Sequence, residues 1–582
     1  MARRSSARSR RARRLATAVL ASAAGCGDDP PDSGSAPASH DPTARFVARR
    51  EGSGIDFVHD AGGSGRKYFP EINAGGISLF DHDGDGDLDV WFAQGAPLPG
   101  REVTPQPPPL IDRLYRNDGG FRFTDVTAAT GAGEDGYSFS GACPDIDGDG
   151  DLDLFISNLG PDRLLVNDGA GRFSDVTEAS GLSSALWSSC AGFADFDRDG
   201  DLDVYIGNYL VYDLEKPKPC GDTERGAEYL AYCHPDVFPG ARDVLYRNDG
   251  GRDGGIRFTD VTAAAGVAES HGKTLAVVPA DIDDDGDVDL YVATDHVPNL
   301  LWRNDAPAGG ALQFTEVAFD LGLAQDGNGN SESCMGSDVV DVDQDGDLDV
   351  FSANMAKETN TLWINEGKLF VDDTDFAGLG RDSYPYVGFG AKFFDQDLDG
   401  DLDLAVANGH VLDNIALYTP HESFAQPPHF YENYGRAKFR LLGAAAGAYF
   451  GEQHVGRAIA AGDLDDDGDV DLVFAHWNAA PELLENRAAQ SVPAPGWIGL
   501  DLRGKGANRR ALGARVQCIA GELRQVAEVR GEGSYAAWND TRLIFGLGAR
   551  TAVDAIKIRW PDGSRQSLEG LAPGRYHRIT QP

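Results

Sequence analysis

No stretch of this 582-residue sequence is long and apolar enough to span a bilayer. A spanning helix needs about 20 residues, and the most apolar run, residues 15–24, is only half that length. Positive charge is scarce: 51 Lys and Arg stand against 93 Asp and Glu, a net charge of −42. That excludes nucleic acid as a partner, because phosphate binding relies on clustered basic side chains. The seven cysteines show no C-x-x-C spacing of a zinc site. Also missing are G-x-S-x-G, H-E-x-x-H and a phosphate-binding loop, so the common nucleophile and zinc-hydrolase signatures are not present. A disordered chain is excluded by 41% hydrophobic residues and 28 Phe. The excess acid must therefore have a local use.

The N-terminus predicts export. Seven arginines fall in residues 1–14, the apolar run follows, and Gly25-Cys26 closes a small-residue zone. Residues 1–26 read as a signal peptide, with plain cleavage and lipidation at Cys26 both open. Residues 27–44 read as a flexible linker. The expected location is periplasmic, cell-surface or extracellular, with membrane contact only through an N-terminal lipid anchor. Export permits disulfides. Cys220 and Cys233 bracket a short loop and are the first candidate pair. Cys143 and Cys190, at equivalent places in neighbouring repeats, are the second, and Cys334 and Cys518 read as buried thiols.

One nine-residue pattern occurs seven times, with Asp at positions 1, 3, 5, 7 and 9, Gly at 6 and Leu or Val at 8. The first three copies supply Asp81, Asp83, Asp85, Asp87 and Asp89; Asp145, Asp147, Asp149, Asp151 and Asp153; and Asp195, Asp197, Asp199, Asp201 and Asp203. The next two supply Asp281, Asp283, Asp285, Asp287 and Asp289, then Asp341, Asp343, Asp345, Asp347 and Asp349. The last two supply Asp395, Asp397, Asp399, Asp401 and Asp403, then Asp463, Asp465, Asp467, Asp469 and Asp471. Each copy is followed by an Asn-ending run such as Leu114-Tyr-Arg-Asn117, and then by a Phe-led run such as Phe123-Thr-Asp-Val-Thr127. The Phe-led run weakens around Phe314, Phe370 and Phe439, which leaves its strands open there.

Each unit thus holds four short β-type runs, the mark of a propeller blade. The fold class is all-β: a seven-bladed β-propeller of four-stranded blades over residues 45–490, followed by a small β-sandwich over 494–582. The seventh unit lacks a fourth run. An N-terminal strand should supply it and close the last blade, and residues 55–63 are the candidate, since Phe57 and Gly63 resemble Phe123 and Gly131.

Alternating carboxylates around a glycine-permitted turn make an oxygen cage suited to a hard divalent cation. The predicted cofactor is Ca2+, about seven ions. An EF-hand would need Glu at position 12, where this chain has strand residues such as Phe92 and Ile156. The thirty-five motif aspartates, taken from 93 acidic residues, leave 58 against 51 basic ones, so nearly all of the net charge lies in these turns.

The repeat resembles the FG-GAP/VCBS calcium-propeller repeat, found also in integrin α-chain heads. The C-terminal stretches Asn508-Arg-Arg-Ala-Leu-Gly-Ala-Arg-Val516, Gly531-Glu-Gly-Ser-Tyr535, Phe545-Gly-Leu-Gly548 and Ile558-Arg-Trp-Pro-Asp-Gly563 resemble an ASPIC/UnbV domain. The combination is similar to the cartilage acidic protein family and its bacterial relatives, and the insertion carrying Cys220 and Cys233-His-Pro also resembles that family. The resemblance implies calcium binding, secretion and adhesion-type interactions.

The Asp turns keep one length, whereas the long insertions 95–111, 208–242, 377–390 and 409–429 fall at the other end of the blades. A protein or glycan ligand is expected on that face. The candidate contacts are Glu71, Asn158, Asn208, His296, Asn354, Asn408, His410 and His476. Asparagine also caps turns through its own backbone, and that alternative stays open. A ligand-binding module is the preferred reading over a carbohydrate-active lyase or hydrolase, for which His296, His410, His476 and Glu71 would be the acid–base candidates. The C-terminal part carries 14 Lys and Arg against 8 Asp and Glu. Docking on the acidic propeller is preferred over holding an acidic sugar.

Overall fold

The computed structural model describes residues 45–582 except 74, 102–108, 251–254, 269 and 271. The expected signal segment with Cys26, and the linker 27–44, lie outside the described residues.

Seven antiparallel sheets carry the Asp motif. In the first, Ile77–Phe80, Asp89–Phe92, Arg113–Asn117 and Phe123–Asp125 lie side by side in chain order, and the motif is the turn between the first two strands. The first strand of each sheet packs against the first strand of the next, and Gly456–Gly462 of the seventh returns to Ile77–Phe80. The sheets thus form a ring, the arrangement of a propeller. First strands such as Ser138–Ala142 and Gly456–Gly462 are buried along their whole length. They are rich in Gly, Ala and Ser because both faces pack against neighbouring sheets, so they lack the alternation of a half-buried strand.

The fourth strands are three residues long, and each opens on a phenylalanine opposite the recurring asparagine, as Phe123 lies opposite Asn117. Strands form at Phe314–Glu316, Phe370–Asp372 and Phe439–Leu441, where the sequence signal fades. A seam explains why the phenylalanine suffices. Eight residues after each one stands a glycine, and a Cβ on it would lie only 2.2–3.2 Å from the carbonyl oxygen of the next sheet's phenylalanine. That close approach demands glycine.

The seventh sheet does take its fourth strand from the N-terminus, but the strand is Phe46–Ala48, with Phe46 opposite Asn486. Residues 55–63, expected to fill that place, are not a strand. They bridge the seventh and first sheets instead: Phe57 stacks on Phe92 at 4.8 Å, and His59 N–H donates to Ala479 O at 3.0 Å.

The C-terminal domain has two sheets. Gly496–Arg503 lies between Leu543–Gly548 and Tyr576–Thr580, and the other sheet is ordered Leu523–Glu528, Arg515–Ala520, Ala555–Arg559, Arg565–Leu568. The expected β-sandwich is not wholly antiparallel, since Gly496–Arg503 and Tyr576–Thr580 run parallel.

Between these sheets the chain leaves the domain and enters the ring. Ala537–Trp538 adds to Ile77–Phe80 as a parallel fifth strand. Ser534 N–H donates to Ser337 O at 2.7 Å, Glu532 accepts from Phe193 N–H at 2.8 Å, and Asn539 accepts from Ala461 N–H at 3.0 Å. Tyr535 packs edge-on against Phe389 and donates to Asn73 O at 2.5 Å. Residues 532–539 therefore touch the first, third, fifth, sixth and seventh sheets, plugging the channel that a propeller otherwise leaves open. Trp538, 1% exposed, belongs to one continuous core with Phe155, Phe193 and Ile556.

Candidate metal turns and an axial cavity

The seven turns share one geometry. Position 6 is glycine with φ between 97° and 111°. In five of the turns its amide donates back to the position-1 carboxylate, as Gly86 does to Asp81 at 3.1 Å and Gly400 to Asp395 at 2.9 Å. Carboxylates at 3 and 5 accept from the amides two residues on, as Asp149 N–H to Asp147 and Asp151 N–H to Asp149 at 3.2 and 3.0 Å. Position 4 is also left-handed, including the non-glycine residues Arg198, Asp284, Gln344, Leu398 and Asp466 with φ of 56–65°. Such a backbone costs roughly 1–2 kcal/mol at a non-glycine residue.

Position 9 works differently from the others. One oxygen of Asp89 accepts from His82 N–H at 2.9 Å and the other from Asn117 N–H at 2.7 Å. Asp153 bonds Ile146 and Asn167 in the same way, at 2.8 and 2.9 Å. Asparagine completes the join. Asn167 Nδ2 donates to Leu152 O of its own turn and, at 2.8 Å, to His82 O of the preceding turn. Asn117 reaches Leu464 O at 2.8 Å, which ties the first sheet to the seventh. Six of the seven asparagines staple their turn to the preceding one, and Gln344 Nε2 joins the fifth turn to the sixth through Gly400 O at 2.7 Å, a role that the sequence alone did not reveal.

Positions 1, 3, 5 and 9 converge. In the first turn Asp81, Asp83 and Asp85 bring carboxylate oxygens within 4.8 Å of one another; Asp145, Asp147 and Asp153 do so in the second, and Asp195, Asp197 and Asp199 in the third. Several of these oxygens are buried without a partner: both of Asp145, both of Asp341, and one each of Asp281 and Asp465; at position 7, Asp287 and Asp469 each bury one more. Burial pushes the carboxyls of Asp145, Asp195, Asp281, Asp341 and Asp463 up to about 7. It pushes those of Asp153 and Asp349 up to about 8. Buried carboxylates without counter-charge are costly. An all-oxygen donor set with orphaned atoms fits a hard divalent cation.

The basic C-terminal domain docks on this same face. Arg559 pairs with Asp281 and, at 2.9 Å, with Asp284. Arg542 pairs with Asp466 at 2.7 Å, Tyr576 donates to Asp463 at 2.7 Å, and Arg515 donates to Gly346 O at 2.7 Å. Positive side chains therefore meet the rims of the fourth, fifth and seventh turns.

At the opposite end lies a cavity of about 200 Å³. Its wall includes Phe69, Tyr209, Tyr232, Phe389 and Met355, with Asn73, Asp295 and His410 as polar members. The 208–242 insertion leans in through Tyr232, Cys233 and His234, and Cys233 is disulfide-bonded to Cys220. Cys143 and Cys190, suggested as a second pair, are free buried thiols, as are Cys334 and Cys518.

The ligand-contact candidates divide. Asn158, Asn208, Asn354 and Asn408 are buried, and their amides donate to Pro161 O, Arg242 O, Thr359 O and Pro427 O at 2.6–3.0 Å. They cap turns instead of facing a ligand, each satisfying a carbonyl of the loop just before the chain enters the third strand. His476 is tied to Ala480 O at 2.7 Å and to the Tyr449 hydroxyl at 2.9 Å, and burial lowers its pKa to about 4. Glu71 is buried, accepts from the Tyr232 hydroxyl at 2.7 Å and Tyr68 N–H at 3.0 Å, and is raised by desolvation. It supports the cavity wall from behind. His410 lines the cavity, but its Nδ1 accepts from Leu412 N–H at 2.9 Å and burial lowers its pKa to about 4. His296 is the most exposed of the set and lies beside the disulfide loop, with Nδ1 3.5 Å from Asp236.

Fold and turns together define a propeller with a metal-ligand pattern at one end, capped there by a second β-domain. Residues 81–156 and 145–206 match the family model of the FG-GAP-like repeat, and 504–582 match that of ASPIC and UnbV. The chain carries FG-GAP-like repeats followed by an ASPIC/UnbV domain. No curated protein matches it. Among solved structures it is similar to an Agrocybe aegerita lectin described as recognising non-reducing terminal N-acetylglucosamine, with 16% identity and a TM-score of 0.37, over 69% of this chain and 88% of that one. It is also similar to rhamnogalacturonan lyase YesW, at 12% identity and 0.35, over 71% of each chain.

Proposed function

We propose that this chain is an exported, calcium-binding propeller that holds a ligand in the axial cavity. The carrying observation is the cavity itself: a space of about 200 Å³ walled by aromatic side chains and Met355 at the end of the ring away from the C-terminal domain. Asn73, in that wall, has an Nδ2 without a partner at hydrogen-bond geometry, a donor free for a ligand oxygen. Aromatic walls with a few polar groups suit a sugar ring or the side chain of a protein partner.

In this reading calcium acts on the scaffold. Positions 1, 3, 5 and 9 of each turn would hold the ion, and bound calcium would supply the charge that the buried carboxylates lack. The turns then hold the first and second strands of every blade, and the ring presents its far loops rigidly. The disulfide among the described residues supports an oxidising location.

A glycan array on the calcium-loaded protein tests the reading. Met355→Trp, which fills the cavity, should weaken binding of any hit at least about tenfold, given the roughly 1.4 kcal/mol that a tenfold change represents. Unchanged binding in Met355→Trp places the ligand elsewhere. Turnover of a hit, lost in His410→Ala, would instead make the cavity an active site.

A further inference from the structure

A second kind of donor cluster stands at the rim of the cavity. His234, Asp236 and His296 bring ligand-type atoms within 4.8 Å of one another. The two histidine Nδ1 atoms each lie 3.5 Å from the same oxygen, Oδ2 of Asp236. This is long for a hydrogen bond. It matches the separation of ligand atoms around a tetrahedral ion, since bonds of about 2.0–2.2 Å set neighbouring ligands roughly 3.3–3.6 Å apart. The rings stand at 90° with centroids 4.8 Å apart, edge to face.

The surroundings hold these groups in place. His234 follows Cys233, fixed by the disulfide to Cys220, and caps the short helical turn Pro235–Val237 that carries Asp236. The amide of Asp236 reaches Nδ1 of His234 at 3.3 Å, a long contact that a metal would displace. Lys273 donates to the other oxygen of Asp236 at 2.6 Å, which leaves Oδ2 turned to the histidines. His296 has a left-handed backbone, φ 62°, and its amide donates to Glu332 O at 3.0 Å. Non-glycine residues in that conformation concentrate at functional sites. Behind its ring, Nε2 lies 3.9 Å from Glu358 Oε1. Metal-ligating histidines commonly point their second nitrogen at a carboxylate in this way.

We infer that His234, Asp236 and His296 form a site for a borderline divalent transition ion, Zn2+ being the reference, separate from the oxygen-only turns. Two imidazoles and one carboxylate select such an ion over calcium, which prefers oxygen. Three protein ligands leave a fourth position open. Because His234 also lines the cavity, the ion borders the space assigned above to a ligand. It would anchor an anionic or hydroxyl group there. The metal site does not depend on that assignment.

The test is a Zn2+ titration of untagged, full-length protein kept saturated with calcium, followed by Co2+ substitution. One equivalent of Zn2+ should bind beyond calcium, and Co2+ should give the intense visible bands of a four-coordinate ion. His296→Ala and Asp236→Asn should each lose affinity by at least about tenfold, as ligand-sphere changes do, with the thermal melt unchanged because both side chains are exposed. His234→Ala serves as the replacement if either variant melts early. No extra equivalent, equal affinity in the variants, or displacement of Zn2+ by calcium alone would overturn the site. Glycan binding in the cavity is scored separately, so either result can fail without the other.

Discussion

The two ends of the ring are built on opposite principles. At the turn end, seven copies of one length and one composition face the basic C-terminal domain. At the mouth, insertions of differing length carry aromatic residues, a disulfide and a histidine pair. Repetition at one end gives a ring whose members are interchangeable in structure. Variation at the other gives one asymmetric cavity. Electrostatics separates them too: unpaired carboxylate oxygens are buried at the turns, whereas the polar groups at the mouth are largely consumed by backbone partners.

The comparison breaks most easily by removing the cations proposed for the turns. A ligand at a hundred times its Kd stabilises by about 2.7 kcal/mol per site. Losing several sites would therefore rival the roughly 5–15 kcal/mol that holds a typical domain. We expect chelation to lower the melting temperature by more than about 10 °C, measured by calorimetry with and without EGTA. An unmoved transition would mean that the turns need no ion.

Next in size is the plug that joins the two ends. Trp538→Ala should cost about 3–5 kcal/mol, as large aromatic deletions in cores do. Hydrogen exchange should rise both in the C-terminal domain and around Ile77–Phe80, its strand partner. Protection lost only in the C-terminal domain would show that the ring stands without its plug.

The last test is a pH slope, read on metal-stripped protein alone. The folded carboxyls of Asp145, Asp195, Asp281, Asp341 and Asp463 sit at about 7 and those of Asp153 and Asp349 at about 8. Unfolded aspartate titrates near about 3.9. The folded state then holds more protons between those values, so stability is greatest at acid pH and falls as pH rises from about 4 until it passes the folded values of about 7 to 8. Calcium should abolish that fall by taking the place of the protons. Equal melting temperatures at pH 5 and pH 8 without metal would remove the desolvation argument.

What could be read in the sequence follows the same division. The turns were legible because a sevenfold repeat isolates the positions that matter. The closing strand was misplaced by nine residues' worth of look-alike sequence around Phe57. The deciding signal was present: Phe46 and Gly54 keep the spacing of Phe123 and Gly131, and Gly54 packs on the Phe123 carbonyl. Asn158 and its counterparts looked like ligand contacts, since strand-end polarity alone cannot distinguish a turn cap from an exposed amide. The plug was invisible because Gly531-Glu-Gly-Ser-Tyr535 reads as an ordinary turn until the ring around it is known. His234 and His296 are 62 positions apart, and only the disulfide-held insertion brings them together.

The pairing of Phe46 with Asn486 carries a consequence for biosynthesis. The first of the described strands to be synthesised is the last to find its partner, because the sheet that receives it must be made first. Throughout translation the growing chain therefore presents two open edges, and the ring can shut only after the seventh motif has emerged. Passage as an extended chain is compatible with this order, whereas a stall before residue 486 leaves an exposed edge for another molecule to pair with.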